Sequence, residues 1–310
     1  MKMTYHRRSV SLRTLPRPVA VVVGGGGALG AAQVGIGYAL EERGFVPDLI
    51  IGTSVGALNG AIAAAHPGRA APWLDSVWTH ARRREVFPLR FPSARASLFA
   101  DHGLRRLIAQ AELPARIEQL AIPFTAVAMD LATGAQVLLD HGDLESALLA
   151  SAAIPGVLPP VDREGRRLVD GGVIALVPVR AALQAGAASV VVLSTGPASW
   201  PLRPLAPPRR AGAVAARAGL LLWHHQIERD LHEVSERIPT VVVPTGVETW
   251  PFPWDFGHAR RLITTASLAA GRFLDGLSIS GPGLYRVDGP PAPSAGLKRA
   301  RTAFAREAGR

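Results

Sequence analysis

Ile50-Ile51-Gly52-Thr53-Ser54-Val55-Gly56-Ala57-Leu58-Asn59-Gly60 is the stretch on which the reading of this chain turns. Asp48-Leu49-Ile50-Ile51 has the apolar character of the end of a short buried strand, and Val55 to Ala65, all small and apolar residues apart from Asn59, reads as a helix. Between them, Gly52-x-Ser54-x-Gly56 has the form of a nucleophile elbow, a strand-to-helix turn so tight that the positions flanking the serine require glycine. The hydroxyl then stands at a helix N-terminus, where free N–H groups and the helix dipole favour developing negative charge. Taken alone, the pattern serves equally well as a helix N-cap.

Upstream, Val19 to Val23 is a mostly β-branched run of the kind found in central parallel strands. Gly24-Gly25-Gly26-Gly27-Ala28-Leu29-Gly30 follows, and then Ala31 to Arg43, whose apolar spacing is helical up to Gly44. The uncharged stretch Val19 to Leu40 is long enough to span a membrane, but its seven glycines favour a soluble strand, loop and helix. Gly25-x-Gly27-x-x-Gly30 matches a dinucleotide fingerprint, which also needs an acid at the far end of the next strand. Asp48 instead precedes that strand, and no Lys-Ser/Thr follows the glycines as a P-loop demands. The loop therefore reads as a cradle for a different anion. Two successive βα turns place it beside the Ser54 elbow at the carboxyl edge of a parallel sheet, giving a nucleophile and oriented N–H donors for an acyl oxyanion.

Such a site needs a base. His224, His225, His232 and His258 lie in helical or loop segments without a strand-end signature, whereas Asp170 closes the apolar strand in Arg167-Leu168-Val169-Asp170-Gly171-Gly172-Val173. An Asp-Gly-Gly sequence is more often a hairpin turn. Here it comes third in order after the glycine loop and the elbow.

With these three blocks the chain resembles the patatin-like phospholipase family. Further family-like segments are Ile122 to Gly134, Ala150 to Pro160, Val177-Pro178-Val179 and Gly186-Ala187, so that the likeness spans about residues 18 to 196. The resemblance implies an α/β protein of the patatin-type three-layer fold, a central mostly parallel sheet flanked by helices with the elbow after the second strand. It further implies a serine acyl hydrolase acting on lipid esters through a Ser54-Asp170 dyad. Gly25, Gly26 and Gly27 supply the oxyanion hole, Gly24, Gly30, Gly52, Gly56, Gly171 and Gly172 support the motifs, and no metal or other cofactor is needed. Many relatives carry arginine where Leu29 stands and asparagine near Ala175-Leu176; the first change removes a cation and the second loosens the support of the aspartate loop. Acyl transfer by the same dyad and a catalytically weak lipid-binding scaffold are the competing readings.

An aspartate of ordinary pKa, about 3.9, is a poor base for a serine hydroxyl, so burial has to raise it. The chain has 310 residues and no cysteine, which excludes disulfides and thiolate chemistry. Its formal charge is +10, almost all from arginine. That charge suits a solvated surface or an anionic membrane; no helix-turn-helix, zinc or stacking signature accompanies it to suggest nucleic acid. A cytoplasmic protein with peripheral membrane contact is expected.

The remaining organisation is expected as a basic arm (1–17), a catalytic domain (18–196), an extension packed on the same core (197–288) and a disordered tail (289–310). Helices are predicted at Pro72 to Arg84, Gly103 to Ala111 and Leu144 to Ala153. Strands are predicted at Ile122 to Met129, Gln136 to Leu139 and Val190 to Ser194. Trp73 and Trp78 are candidates for an acyl pocket or for plain core packing. Pro197 to Arg210, with five prolines and three arginines, reads as a flap. A long helix from Ala211 to Arg237, a strand from Thr240 to Val243 and a helix from His258 to Leu277 follow. The long helix reads either as a lid or membrane-facing element or as ordinary packing over the sheet.

Overall fold

The computed structural model describes residues 12–88, 97–196, 208–247 and 255–287. β1 (Val19–Val23) leads through the glycine-rich turn into α1 (Ala31–Glu42), and β2 (Leu49–Thr53) passes within one residue into α2 (Val55–Ala65). α3 (Ala70–His80), the single-turn α4 (Arg83–Val86) and α5 (His102–Gln110) follow. Next come β3 (Phe124–Asp130), β4 (Gln136–Leu139) and α6 (Leu144–Ser151). The hairpin β5 (Val161–Arg163) and β6 (Arg166–Asp170) precedes α7 (Val179–Gln184) and β7 (Ser189–Leu193). α8 (Ala211–Ser235), β8 (Pro239–Val243), α9 (Ala259–Asp275) and β9 (Gly283–Tyr285) complete the described elements.

The strands form one nine-stranded sheet in the order β5-β6-β3-β2-β1-β7-β8-β9, with β4 also on β3. From β3 through β9 every pairing on this path is parallel, while β4 and β6 run antiparallel to β3. The all-apolar β1 run is explained by burial on both faces. Val19, Val21 and Val23 point into a core shared with α1, α2 and α9, whereas Ala20 and Val22 point into a second core shared with α7 and the end of α8. Helices thus cover both faces of a central, mostly parallel sheet.

Register on β3 positions the site. Val127 pairs with Thr53 of β2 and with Leu138 of β4, and Ala128 pairs with Val137 of β4 and with Asp170 of β6. A strand has two edges, so β2 and β6 lie end to end along the edge opposite β4, with Thr53 and Asp170 meeting at consecutive β3 residues.

Several elements lie outside the sequence-based expectations. The predicted helix Pro72 to Arg84 is two helices, broken at Ala81 where the backbone turns extended. β5, α7 and β9 are three to six residues long, too short to carry a period of their own. Most of the expected flap (197–207), the first eleven residues of the arm and the tail from 289 lie outside the described residues. α8 divides the two readings offered for it: Leu231 and Val234 pack on the sheet, but Val214 and Leu222 are exposed. Among the described residues no helix is long and apolar enough to cross a membrane.

The elbow is where backbone segments approach most closely. A Cβ on Gly56 would lie 2.1 Å from the Val23 carbonyl oxygen, and one on Gly52 would lie 2.4 Å from that of Gly56. Because those atoms are backbone, no rotamer change relieves the clash. Gly56→Ala is expected to destabilise the protein by about 3 kcal/mol or more. Gly134→Ala, at an open hairpin turn with φ +72° and nothing within 4 Å, should cost only about 1–2 kcal/mol. Chemical denaturation of the two variants side by side checks the difference.

Candidate active site

Ser54 sits at φ 57°, ψ −128°, a left-handed conformation that costs a non-glycine residue about 1–2 kcal/mol. Its side chain makes no capping bond to α2, so the N-cap alternative fails. The hydroxyl instead acts on the carboxyl of Asp170, whose charged form it favours. Both residues are buried, at 6% and 4% exposure.

Asp170 ends β6 and caps the short 3-10 turn Gly171–Val173, accepting the Gly172 N–H on Oδ1 at 2.7 Å. This is a strand-end turn, not the hairpin that Asp-Gly-Gly more often marks. Burial pushes the Asp170 carboxyl up to about 6, against the opposing pull of hydrogen bonds from Ser54 and Gly172. A Cβ on Gly171 would lie 2.4 Å from the Val127 carbonyl oxygen, so the turn folds directly against β3.

The glycine loop holds its place through bonds that also revise one expectation. Gly24 N–H donates to the Leu193 carbonyl at 3.0 Å, and Gly25 N–H to the Leu176 carbonyl at 2.8 Å. Gly25, expected among the oxyanion donors, therefore has its N–H engaged within the scaffold. Gly26 and Gly27 have positive φ, and among the described residues their N–H groups meet no backbone acceptor. Gly27 lines the cleft beside Ser54, and Gly30 packs under Val55 and Trp78. Leu29 is buried at 3% in the core, so the position at which relatives carry a cation is structural here.

The aspartate loop is firmly held without the asparagine. The Ala175 carbonyl accepts from Thr53 Oγ1 at 2.9 Å, that of Leu176 accepts from Gly25 N–H, and that of Ile174 accepts from Gln226 Nε2 on α8. The expected loosening is therefore met by three carbonyl contacts.

Sequence reasoning missed Ser151. Its hydroxyl donates to the Val127 carbonyl at 2.6 Å and accepts the Ser54 N–H at 2.9 Å. It thereby fills the gap between the end of β2 and the end of β6. Two residues on, the Ala153 carbonyl accepts the Asp170 N–H at 2.9 Å. Asn59 and Gln33, the polar residues set within small and apolar runs of α2 and α1, were also passed over. Asn59 Nδ2 donates to Gln33 Oε1 at 2.8 Å and Asn59 Oδ1 accepts from Trp78 Nε1 at 2.9 Å, while Gln33 Nε2 holds the Gly24 carbonyl at 2.7 Å. A polar residue isolated in an apolar helix is the signal that would have found all three.

Ser54 opens onto a cleft of about 790 Å³, including its mouth, lined by Leu58, Ile62, Trp78, Phe87, Leu107 and Phe256 among others. The wall is almost wholly apolar. Trp78 lines this space and stacks on Phe256 at 5.9 Å. Trp73 does neither: it is 41% exposed and stacks on His66 at 4.8 Å. The histidines weighed as bases have neighbours elsewhere. His258 Nε2 lies 3.2 Å from Asp255, His232 Nδ1 lies 2.8 Å from the Glu228 carbonyl, and the rings of His224 and His225 meet edge-on.

A strained serine on a strand-to-helix elbow thus stands beside a buried aspartate that ends a second strand of a mostly parallel α/β sheet. The family model for patatin-like phospholipase matches residues 21–183, more than half of the chain, and the chain belongs to that family. An uncharacterized NTE family protein of Mycobacterium tuberculosis is 39% identical over 163 residues, 52% of this chain and 44% of that protein. Patatin-like phospholipase domain-containing protein 7 of Mus musculus is 33% identical over 186 residues, 57% of this chain and 14% of that protein. The chain thus matches less than half the length of these relatives. Among solved structures, VipD from Legionella pneumophila aligns over 90% of this chain and 72% of that chain, with 13% identity and a TM-score of 0.45.

Replacing Ser151 by alanine strands two buried groups, the Ser54 N–H and the Val127 carbonyl, each at about 1–3 kcal/mol. Ser151→Ala is expected to lower stability by about 2–4 kcal/mol. Thermal unfolding checks this, with the exposed Ser76→Ala as a control that should change little.

Proposed function

We propose that this protein is a serine acyl hydrolase that cleaves lipid carboxylic esters, in the manner of a phospholipase A or lysophospholipase, through Ser54 and Asp170. One observation carries the reading: Ser54, presented by a strained elbow at the wall of an apolar cleft, is brought by register beside a buried aspartate of raised pKa whose charged form its hydroxyl favours. Family membership supports lipid ester hydrolysis in general; the residue roles come from the geometry. The apolar wall suits the acyl chain of a lipid at a membrane surface.

In this mechanism Ser54 Oγ attacks the ester carbonyl carbon as its proton passes to the Asp170 carboxylate. The carbonyl oxygen becomes an oxyanion held by the N–H groups of Gly26 and Gly27, next to the positive end of the α2 dipole. Collapse of the tetrahedral species breaks the ester C–O bond, and Asp170 returns the proton to the leaving alcohol. A water molecule then gives a proton to Asp170 and attacks the acyl-serine, releasing the fatty acid and restoring the Ser54 hydroxyl. A carboxyl of pKa about 6 is half ionised near pH 6 and is a far better acceptor than an ordinary aspartate.

Ser54→Ala and Asp170→Asn are each expected to lower kcat on short-chain p-nitrophenyl esters by at least about a thousandfold. A fluorophosphonate probe should label Ser54 in the wild-type protein, and full activity in the Asp170→Asn variant would overturn the reading. Because the carboxylate is the active form, kcat/KM should rise with pH through a midpoint of about 6 and level off by about pH 7.

The same shift has a stability sign. A carboxyl whose pKa is raised on folding, from 3.8 to about 6, favours the folded state below pH 3.8 and loses that advantage as pH rises through 6. At pH 8 the charged form therefore costs the fold about 3 kcal/mol. Asp170→Asn is accordingly expected to raise stability at pH 8 by up to that amount, with the gain fading between pH 6 and pH 4. Urea melts at the three pH values test it.

A further inference from the structure

α8 has two stripes. Ile227, Leu231 and Val234 pack against the sheet, and the chain turns from Ser235 into β8 within four residues, so the C-terminal end of the helix lies at the amino edge. Gln226, one turn above Asp230, donates to the carbonyl of Ile174, on the loop that follows Asp170 at the carboxyl edge. The fifteen residues from Gln226 back to Ala211 rise about 22 Å. They therefore stand beyond the edge at which Ser54 opens.

This upper half has the composition of a buried helix in an exposed position. Ala211 to Trp223 holds a single charged residue, Arg217, yet Leu222 is 71% and Val214 is 48% exposed. Val214, Ala218, Leu221 and Leu222 fall at i, i+4, i+7 and i+8, one continuous stripe on the side away from Ile227 and Leu231. Arg210 and Arg217, seven apart, flank it on one side, and Arg209 is exposed beside them. From Arg209 to Ile227 there is no acidic residue, and among the described residues none of these three arginines forms a salt bridge.

Charge decides the occupant. A second copy would bring another +10 chain and the same unpaired arginines against these. An anionic bilayer supplies the counter-charge and an apolar layer together. We infer that the outer stripe of the upper half of α8 docks side-on to an anionic lipid bilayer and turns the Ser54 edge toward it. This deepens the proposed function by assigning the surface that brings the site to a lipid substrate.

The test is co-sedimentation of the full chain with vesicles of phosphatidylcholine alone or mixed with phosphatidylglycerol. Wild-type protein is expected to bind the mixed vesicles at least about tenfold more tightly than the zwitterionic ones, and less so as salt is raised. Val214→Ser with Leu222→Ser, which removes apolar area without adding charge, should weaken binding to the mixed vesicles at least about tenfold. The melting transition should shift little, and turnover of soluble p-nitrophenyl butyrate should stay within about twofold of wild type. Unchanged vesicle binding in the double variant overturns the inference, as does absence of binding by the wild type or a solution dimer that the double variant dissociates. If wild-type protein binds mixed vesicles in this way but turns over no ester, the docking surface stands and the Ser54-Asp170 reading falls.

Discussion

One edge of β3 serves two strands in succession. β2 runs along it until Thr53 meets Val127, and β6 arrives from the opposite direction so that Asp170 meets Ala128. Both strands must stop there, and the residue leaving one and the residue ending the other become neighbours through register alone. A slip of one residue in β6 would turn the Asp170 side chain to the other face of the sheet. Ser151 fills the broken rung, taking the Ser54 N–H and giving its own proton to Val127, so the backbone groups freed by the two endings stay satisfied.

On the proposed reading, this geometry explains how an aspartate can be asked to act as a base. The junction lies inside the sheet, with α6 closing over it, and the carboxyl is removed from water. Burial alone would raise its pKa further. The Gly172 N–H and the Ser54 hydroxyl restrain that shift because they favour the charged form. The result is a carboxylate available near neutrality beside Ser54. Elbow strain and the buried charge both weigh against folding; the two apolar cores on either side of the sheet offset them.

What could be read from the sequence was what backbone sterics write into glycine spacing. Gly52 and Gly56 are there because carbonyl oxygens occupy the space a Cβ would fill, and the apolar β1 run is there because both its faces are covered. Contacts between distant segments left no such local mark. Nothing near Gly25 announces that Leu176 will take its N–H, and nothing near Ala175 announces that Thr53 will replace a missing asparagine. β5 and β9 are legible only as additions to strands already in place, since three residues cannot establish an alternation. The double character of α8 was hidden differently: its sequence is apolar on most sides, and only the position of Gln226 on the Ile174 carbonyl shows where the sheet ends and the exposed part begins.

Leu29 and the arginines of α8 bear on where a charged group could be met. In the loop, the side chain at position 29 is turned into the core, so the cleft beside Ser54 has no cation from that residue and its wall is apolar. Positive charge stands instead on outer surfaces, including the exposed Arg209 and Arg210 before α8 and the half-buried Arg217 within its upper half. An anionic head group buried beside Ser54 would lose its hydration without gaining a partner from Leu29, whereas one left outside the cleft keeps its water. On the proposed reading, selectivity for charge would then act when the protein reaches a surface, and selectivity for chain shape would act within the cleft. The two can be separated physically because the first is screened by salt and the second is not.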